Sequence, residues 1–142
     1  MQCQLEQIRD GDTLVVRVGT EITDLRLYGI DCPELDQPYG DVARSRLQEL
    51  LGPHPELDVI ELDRDHYDRM VAEVWVGKCC INTQLLREGL AVAYRFHLQG
   101  KYRQRYITAE AIAKRQKLQW WSQSEFEMPW DYRRRIRGDG NG

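Results

Sequence analysis

The chain has 142 residues, 42% hydrophobic and 30% charged, with a formal net charge of −3. That length fits one domain of about 100–200 residues, and the composition excludes a disordered polyelectrolyte. No apolar run approaches the roughly 18 residues of a membrane helix, and Met1-Gln2-Cys3-Gln4-Leu5-Glu6 has neither the basic nor the apolar stretch of a leader. A soluble protein is expected, its compartment left open between secreted or periplasmic and cytoplasmic. The charge divides unevenly, −9 over residues 1–94 and +6 over residues 95–142. A net acidic chain draws no polyanion from a distance, so affinity for nucleic acid has to come from local cations or from a metal ion that neutralises the carboxylates.

In chain order, Leu5 to Arg9, Thr13 to Val18 and Ile22 to Tyr28 carry the β-branched and aromatic content of three strands, the last two joined by the short loop Gly19-Thr20-Glu21. On the third strand, period 2 sets Asp24, Arg26 and Tyr28 on the face opposite Leu25, Leu27 and Gly29. A turn-rich stretch from Asp31 to Gly40 precedes a helix marked by Ala43, Leu47, Leu50 and Leu51, which Gly52-Pro53-His54-Pro55 ends. Leu57 to Leu62 and Met70 to Val76 read as two further strands around a charged connection. A second helix follows from Ile81, Leu85, Leu86 and Leu90, and a third from Tyr102, Tyr106, Ala109 and Ala113. The order βββ-α-ββ-α-α predicts a mainly β, α+β fold: a small antiparallel five-stranded OB-fold barrel capped by three helices. Residues 1–137 form this domain, and residues 138–142 read as a disordered tail. The four cysteines show no zinc spacing, so the thiols are free or form at most one bridge such as Cys3 to Cys32.

Three segments carry candidate chemistry. Asp10-Gly11-Asp12-Thr13 by itself reads as a tight turn with Asp12 solvated. Arg26 through Glu34 reads either as a strand ending at a Pro turn or as part of a site, and Asp65-His66-Tyr67-Asp68-Arg69 as a charged hairpin loop. Together they supply what phosphodiester hydrolysis needs. Asp12 and Asp31 are carboxylates suited to a hard divalent cation, Glu34 is a base for water, and Arg26 and Arg69 are donors to phosphoryl oxygens. Arginine suits that task because its planar fork makes two parallel bonds to a phosphate and stays charged at working pH.

These motifs, with Gln37-Pro-Tyr-Gly40, Asn82-Thr-Gln-Leu-Leu-Arg-Glu-Gly-Leu-Ala91 and Pro129-Trp-Asp-Tyr-Arg-Arg134, make the sequence similar to the staphylococcal nuclease-like (thermonuclease) family over nearly its whole length. The resemblance implies a five-stranded OB barrel with three helices. It also implies Ca²⁺-dependent hydrolysis of DNA and RNA, single strands preferred, leaving 3′-phosphate ends. It places Ca²⁺ on Asp12, Asp31 and the main-chain carbonyl of Cys32, makes Glu34, Arg26 and Arg69 catalytic, and puts His66, Tyr67 and Tyr94 against the substrate. With so few ligands the ion is expected to bind weakly, with Kd of about 10⁻⁴–10⁻³ M.

The sequence departs from the best-known member at several points. Cys32 stands for a threonine, His66 for a lysine, the Leu35 to Gly40 loop is shorter, and the chain as a whole is acidic. Lys101, Arg103, Arg105 and Arg133 to Arg135 either compensate locally or form a solvated face and tail. Trp120, Trp121 and Trp130 are assigned to packing. The rival to an enzyme is a catalytically inactive module that binds nucleic acid or a partner, and a monomer is the expected state.

Overall fold

In the computed structural model, which describes residues 1–53 and 56–141, five long strands carry the architecture. They are β1 (Gln2–Asp10), β2 (Thr13–Val18), β3 (Glu21–Leu27), β5 (Glu56–Arg64) and β6 (Met70–Val76), with β4 (Ile30–Asp31), β7 (Cys79–Cys80) and β8 (Val92–Ala93) as two-residue strands. The helices are α1 (Gly40–Leu51), α2 (Ile81–Arg87), α3 (Gly100–Gln116) and α4 (Pro129–Asn141), with a 3₁₀ turn at Gln119–Ser122.

Alternation puts Leu14 and Val16, Leu25 and Leu27, Leu57 and Val59, and Met70, Ala72 and Val74 into one buried cluster, which can be enclosed only if the sheet curls. Register shifts in β1 between Leu5 and Gln7 and in β5 between Glu61 and Asp63 mark the bulges that bend it. The strand order β3-β2-β1-β5-β6 then closes through direct pairing of β3 with β6. This five-stranded barrel is of the OB type. It corrects the expected all-antiparallel arrangement, because the closing pair, Leu25 to Met70 through Leu27 to Ala72, is parallel.

α1 lays Ala43, Leu47 and Leu51 on the barrel. The His54-Pro55 part of its expected stop lies outside the described residues. α2 and α3 pack through Leu85, Leu86, Tyr106 and Ala109. Asn82, fully buried on α2, accepts the Val74 N–H at 3.0 Å and donates to the carbonyls of Tyr28 at 3.0 Å and Ala72 at 3.1 Å. It thereby ties the end of β3 to β6 just before the chain turns into β4. At that turn Gly29 has φ +74°, and an added Cβ would lie 2.5 Å from Leu98, so only glycine serves there.

The fourth helix corrects the expected three. α4 is held by tertiary contacts: Tyr132 Oη donates to Asp36 at 2.5 Å, and Arg135 pairs with Glu127. Its bounds include residues 138–141 of the segment expected to be a disordered tail, and Gly142 lies outside the described residues. All four cysteines are free thiols, which removes the Cys3 to Cys32 bridge.

Candidate active site

The turn between β1 and β2 is not the solvated one that its Asp-Gly signal permits. Asp12 is only 4% exposed. Its Oδ2 accepts the Cys32 N–H at 2.8 Å, its Oδ1 accepts the Thr13 hydroxyl at 3.2 Å, and its own N–H donates to Asp10 at 3.1 Å. Asp31, at the end of β4, has no exposure at all. Arg26, projecting from β3, joins the two carboxylates. Nη1 lies 3.4 Å from Asp12, and Nη2 donates to Asp31 at 3.2 Å and to the Ile30 carbonyl at 3.3 Å.

Burial sets the titration of these groups and the guanidinium modifies it. Burial pushes Asp12 up, but the Arg26 charge and the donated hydrogen bonds outweigh it and hold Asp12 below the usual carboxylate range. For Asp31 burial prevails over its arginine partners and the carboxyl is pushed up. Asp10, half-buried and beside the Asp12 charge, is pushed up to about 7 by that burial and that charge. Burial, with the neighbouring carboxylates, pushes the Cys32 thiol well up, so its sulfur is no thiolate ligand.

Glu34 stands on the loop after β4. Its N–H donates to Gln37 Oε1 at 2.9 Å, and Gln37 Nε2 donates in turn to the Glu127 carbonyl at 3.0 Å. A Cβ at Gly40, the first residue of α1, would lie 1.9 Å from the Glu34 carbonyl oxygen, so glycine is required for the helix to start against this loop. Across the cleft, Asp65 organises the β5–β6 hairpin. Its Oδ1 accepts the N–H groups of Tyr67 and Arg69, each at 2.9 Å, and its Oδ2 accepts Arg69 Nε at 2.7 Å. Burial disfavours the Asp65 charge, but these bonds hold its carboxyl below the usual range.

Asp12, Arg26, Cys32, Glu34, His66, Arg69 and Tyr94 all line one cleft of about 650 Å³. Asp31 is not in that lining, but it pairs with Arg26, which is. Tyr67 also stands outside the lining, 70% exposed, its ring 4.1 Å from that of His66 and 5.6 Å from the Arg69 guanidinium carbon. Tyr94 stacks with His97 at 4.9 Å and meets Trp130 at 5.5 Å. Trp120 is buried and packs against Phe126.

Sequence reasoning missed Arg133. In place of a solvated tail residue, Arg133 of α4 lines the cleft and donates to both Asp31 oxygens, at 3.0 and 2.7 Å, and to Glu34 at 2.9 Å. The one signal was its place in the Pro129-Trp-Asp-Tyr-Arg-Arg134 motif. Its neighbours do otherwise: Arg134 pairs with Asp131, and Arg135 with Glu127.

Among the described residues no group of three or more His, Cys, Asp or Glu side chains is placed to hold a metal ion. A cation here would therefore rest on the two carboxylates of Asp12 and Asp31 and on main-chain oxygen such as that of Cys32. With the Cys32 sulfur protonated, that donor set is all hard oxygen and fits a hard divalent ion.

A family model described as staphylococcal nuclease homologue matches residues 24–123. The chain belongs to the staphylococcal nuclease family. It is 34% identical to the micrococcal nuclease of Shigella flexneri, an alignment covering 97% of this chain and 83% of that one. It is 33% identical to the thermonuclease of Staphylococcus hyicus, over 82% of this chain and 73% of the relative. With the endonuclease YncB of Bacillus subtilis it shares 35% identity, over 86% of this chain and 62% of the relative. Among the described residues no helix is long and apolar enough to cross a membrane.

Proposed function

We propose that this chain is a Ca²⁺-dependent nuclease that hydrolyses phosphodiester bonds of DNA and RNA, prefers single strands, and leaves 3′-phosphate ends. The observation that carries the reading is the buried pair Asp12 and Asp31 bridged by Arg26, with Glu34 and Arg69 lining the same cleft. The names of the relatives, micrococcal nuclease, thermonuclease and endonuclease, support the same reaction class.

Asp12, Asp31 and the Cys32 carbonyl would hold the Ca²⁺, whose bound charge offsets that developing on the phosphoryl oxygens. Glu34, on the exposed side of the acidic pair, orients the attacking water and accepts its proton. Arg26 and Arg69 reach the cleft from β3 and from the hairpin that leads into its neighbour β6, and donate to the non-bridging oxygens and to the departing 5′ oxygen. Arg69 arrives oriented, because the Asp65 carboxylate fixes both its main chain and its Nε. His66 and Tyr67, on the tip of the same hairpin, meet the terminal phosphate. Tyr94 flanks the nucleotide from the opposite rim, and an unpaired strand offers it a free base face.

Fluorescent single-stranded DNA and RNA incubated with millimolar Ca²⁺ should be cut, cutting should stop on adding chelator, and the products should carry 3′-phosphates. Retained binding of intact strands without cleavage in Ca²⁺ would replace the enzyme by a binding module.

A further inference from the structure

Whereas Arg26 makes one hydrogen bond to each of Asp12 and Asp31, Arg133 makes three to Asp31 and Glu34. Its guanidinium lies fork to fork on Asp31, with Nη1 on Oδ1 at 3.0 Å and Nη2 on Oδ2 at 2.7 Å, and Nη1 also reaches Glu34 Oε1 at 2.9 Å. Arg26 already donates to Asp31 Oδ1 at 3.2 Å. Each carboxylate oxygen has two lone pairs, so with Arg133 seated Oδ1 is fully used and Oδ2 keeps one. Asp31 is wholly buried, so its oxygens look to these protein donors. A divalent cation on Asp31 therefore meets both a shortage of lone pairs and the repulsion of a fixed positive charge.

The helix that carries Arg133 is docked on the same loop as Glu34. Tyr132 donates to Asp36, Gln37 donates to the Glu127 carbonyl, and Tyr39 hydrogen-bonds Ser122 at 3.0 Å. The guanidinium is thus delivered to Asp31 and Glu34 by a clamped segment, unlike a mobile surface arginine, and about a third of its side chain remains open to the cleft.

We propose that Arg133 is an internal counter-ion for Asp31 and Glu34 that competes with the divalent cation and sets the affinity of the site for it. This rests on the cation reading above. Binding the ion then requires the Arg133 guanidinium to leave Asp31, and leaving frees Glu34 from its ion pair at the same moment. The base is held by Arg133 when the ion is absent and released when it binds, so the two events are coupled through one side chain.

The test is calorimetric titration of Ca²⁺ into the chelator-stripped full chain, with Arg133→Gln and Arg133→Lys beside it. Removing the competitor should tighten Ca²⁺ binding by about tenfold in Arg133→Gln, within the usual range for coupled ligands. Lysine keeps the charge without the fork and should fall between the two. The thermal shift produced by saturating Ca²⁺ should grow in the same order. Should Arg133→Gln fail to fold, the comparison of Arg133→Lys with the parent decides. Equal or weaker Ca²⁺ binding in the variants, with the parent binding normally, overturns the competition and leaves the proposed function standing. Absence of Ca²⁺ binding in the parent and both variants overturns the cation reading and the competition with it.

Discussion

Arg26 is the one guanidinium paired with Asp12 among the described residues, whereas Asp31 has Arg133 as well. In chelator, Arg26→Met keeps most of the side-chain volume but leaves Asp12 charged, buried and without an ionic partner. Removing one member of a buried pair costs about 3–5 kcal/mol. Here the Arg26 to Asp12 contact is long, 3.4 Å, and the Asp12 hydrogen bonds from Cys32 and Thr13 survive, so the low end, about 3 kcal/mol, is expected. For a chain of this size that lowers Tm by about 10 °C. The pH dependence identifies the cause. In the parent, Asp12 titrates below its unfolded value, so its contribution is present above about pH 4 and is lost as the pH falls through the folded pKa. Without Arg26, burial raises that pKa, and protonation relieves the penalty as the solution is acidified. Urea denaturation should therefore show a gap between parent and variant that is widest at pH 7 and narrows toward pH 4. A gap of the same size at both pH values would mean that lost packing, and no unpaired charge, is responsible.

Three further outcomes follow from the cleft. Glu34→Gln should lower kcat about 10²–10⁴-fold, the usual range for loss of a general base, while Tm in chelator stays within a few degrees; full turnover by the variant in a single-strand cleavage assay removes Glu34 as base. Asp65→Ala should slow cleavage about tenfold through misplacement of Arg69, and the Arg69→Gly, Asp65→Ala double variant should be no slower than Arg69→Gly; additive losses would show that Asp65 acts elsewhere. Gly40→Ala should cost about 1–3 kcal/mol in urea and lower kcat at least tenfold, because the new methyl pushes on the Glu34 carbonyl; unchanged kcat means the loop absorbs the methyl without moving Glu34.

The barrel strands were legible because they announce themselves locally. Thr13 to Val18 and Met70 to Val76 are β-rich runs, and their ends in the structure match the sequence reading. The parallel closure was not, since the pairing of Leu25 with Met70 is decided by curvature around a shared core and leaves no mark on either segment. Nor was α4. Pro129–Asn141 is strongly polar and includes two glycines, and a short helix of that composition needs tertiary contacts, here Tyr132 to Asp36 and Arg133 to Asp31 and Glu34.

Charge explains why the site was half legible. The turn at Asp12, the arginine on β3 and the Asp31 to Glu34 segment are readable because their chemistry lies in residue types at short spacing, although an Asp-Gly turn looks the same whether its carboxylate is solvated or, as here, buried. Arg133 sits in a basic run about 100 residues away, where a guanidinium carries no information about its carboxylate. What the sequence did expose was the sign of the imbalance: −9 over residues 1–94 against +6 over the remainder. Opposite charges attract most strongly where water screens them least, and Asp31, paired with two arginines of the cleft lining, is wholly buried. Arg133 of the C-terminal helix is therefore the partner of that acid and no solvated tail residue. A substrate phosphate or a cation entering the cleft must negotiate with a charge the chain has already put there.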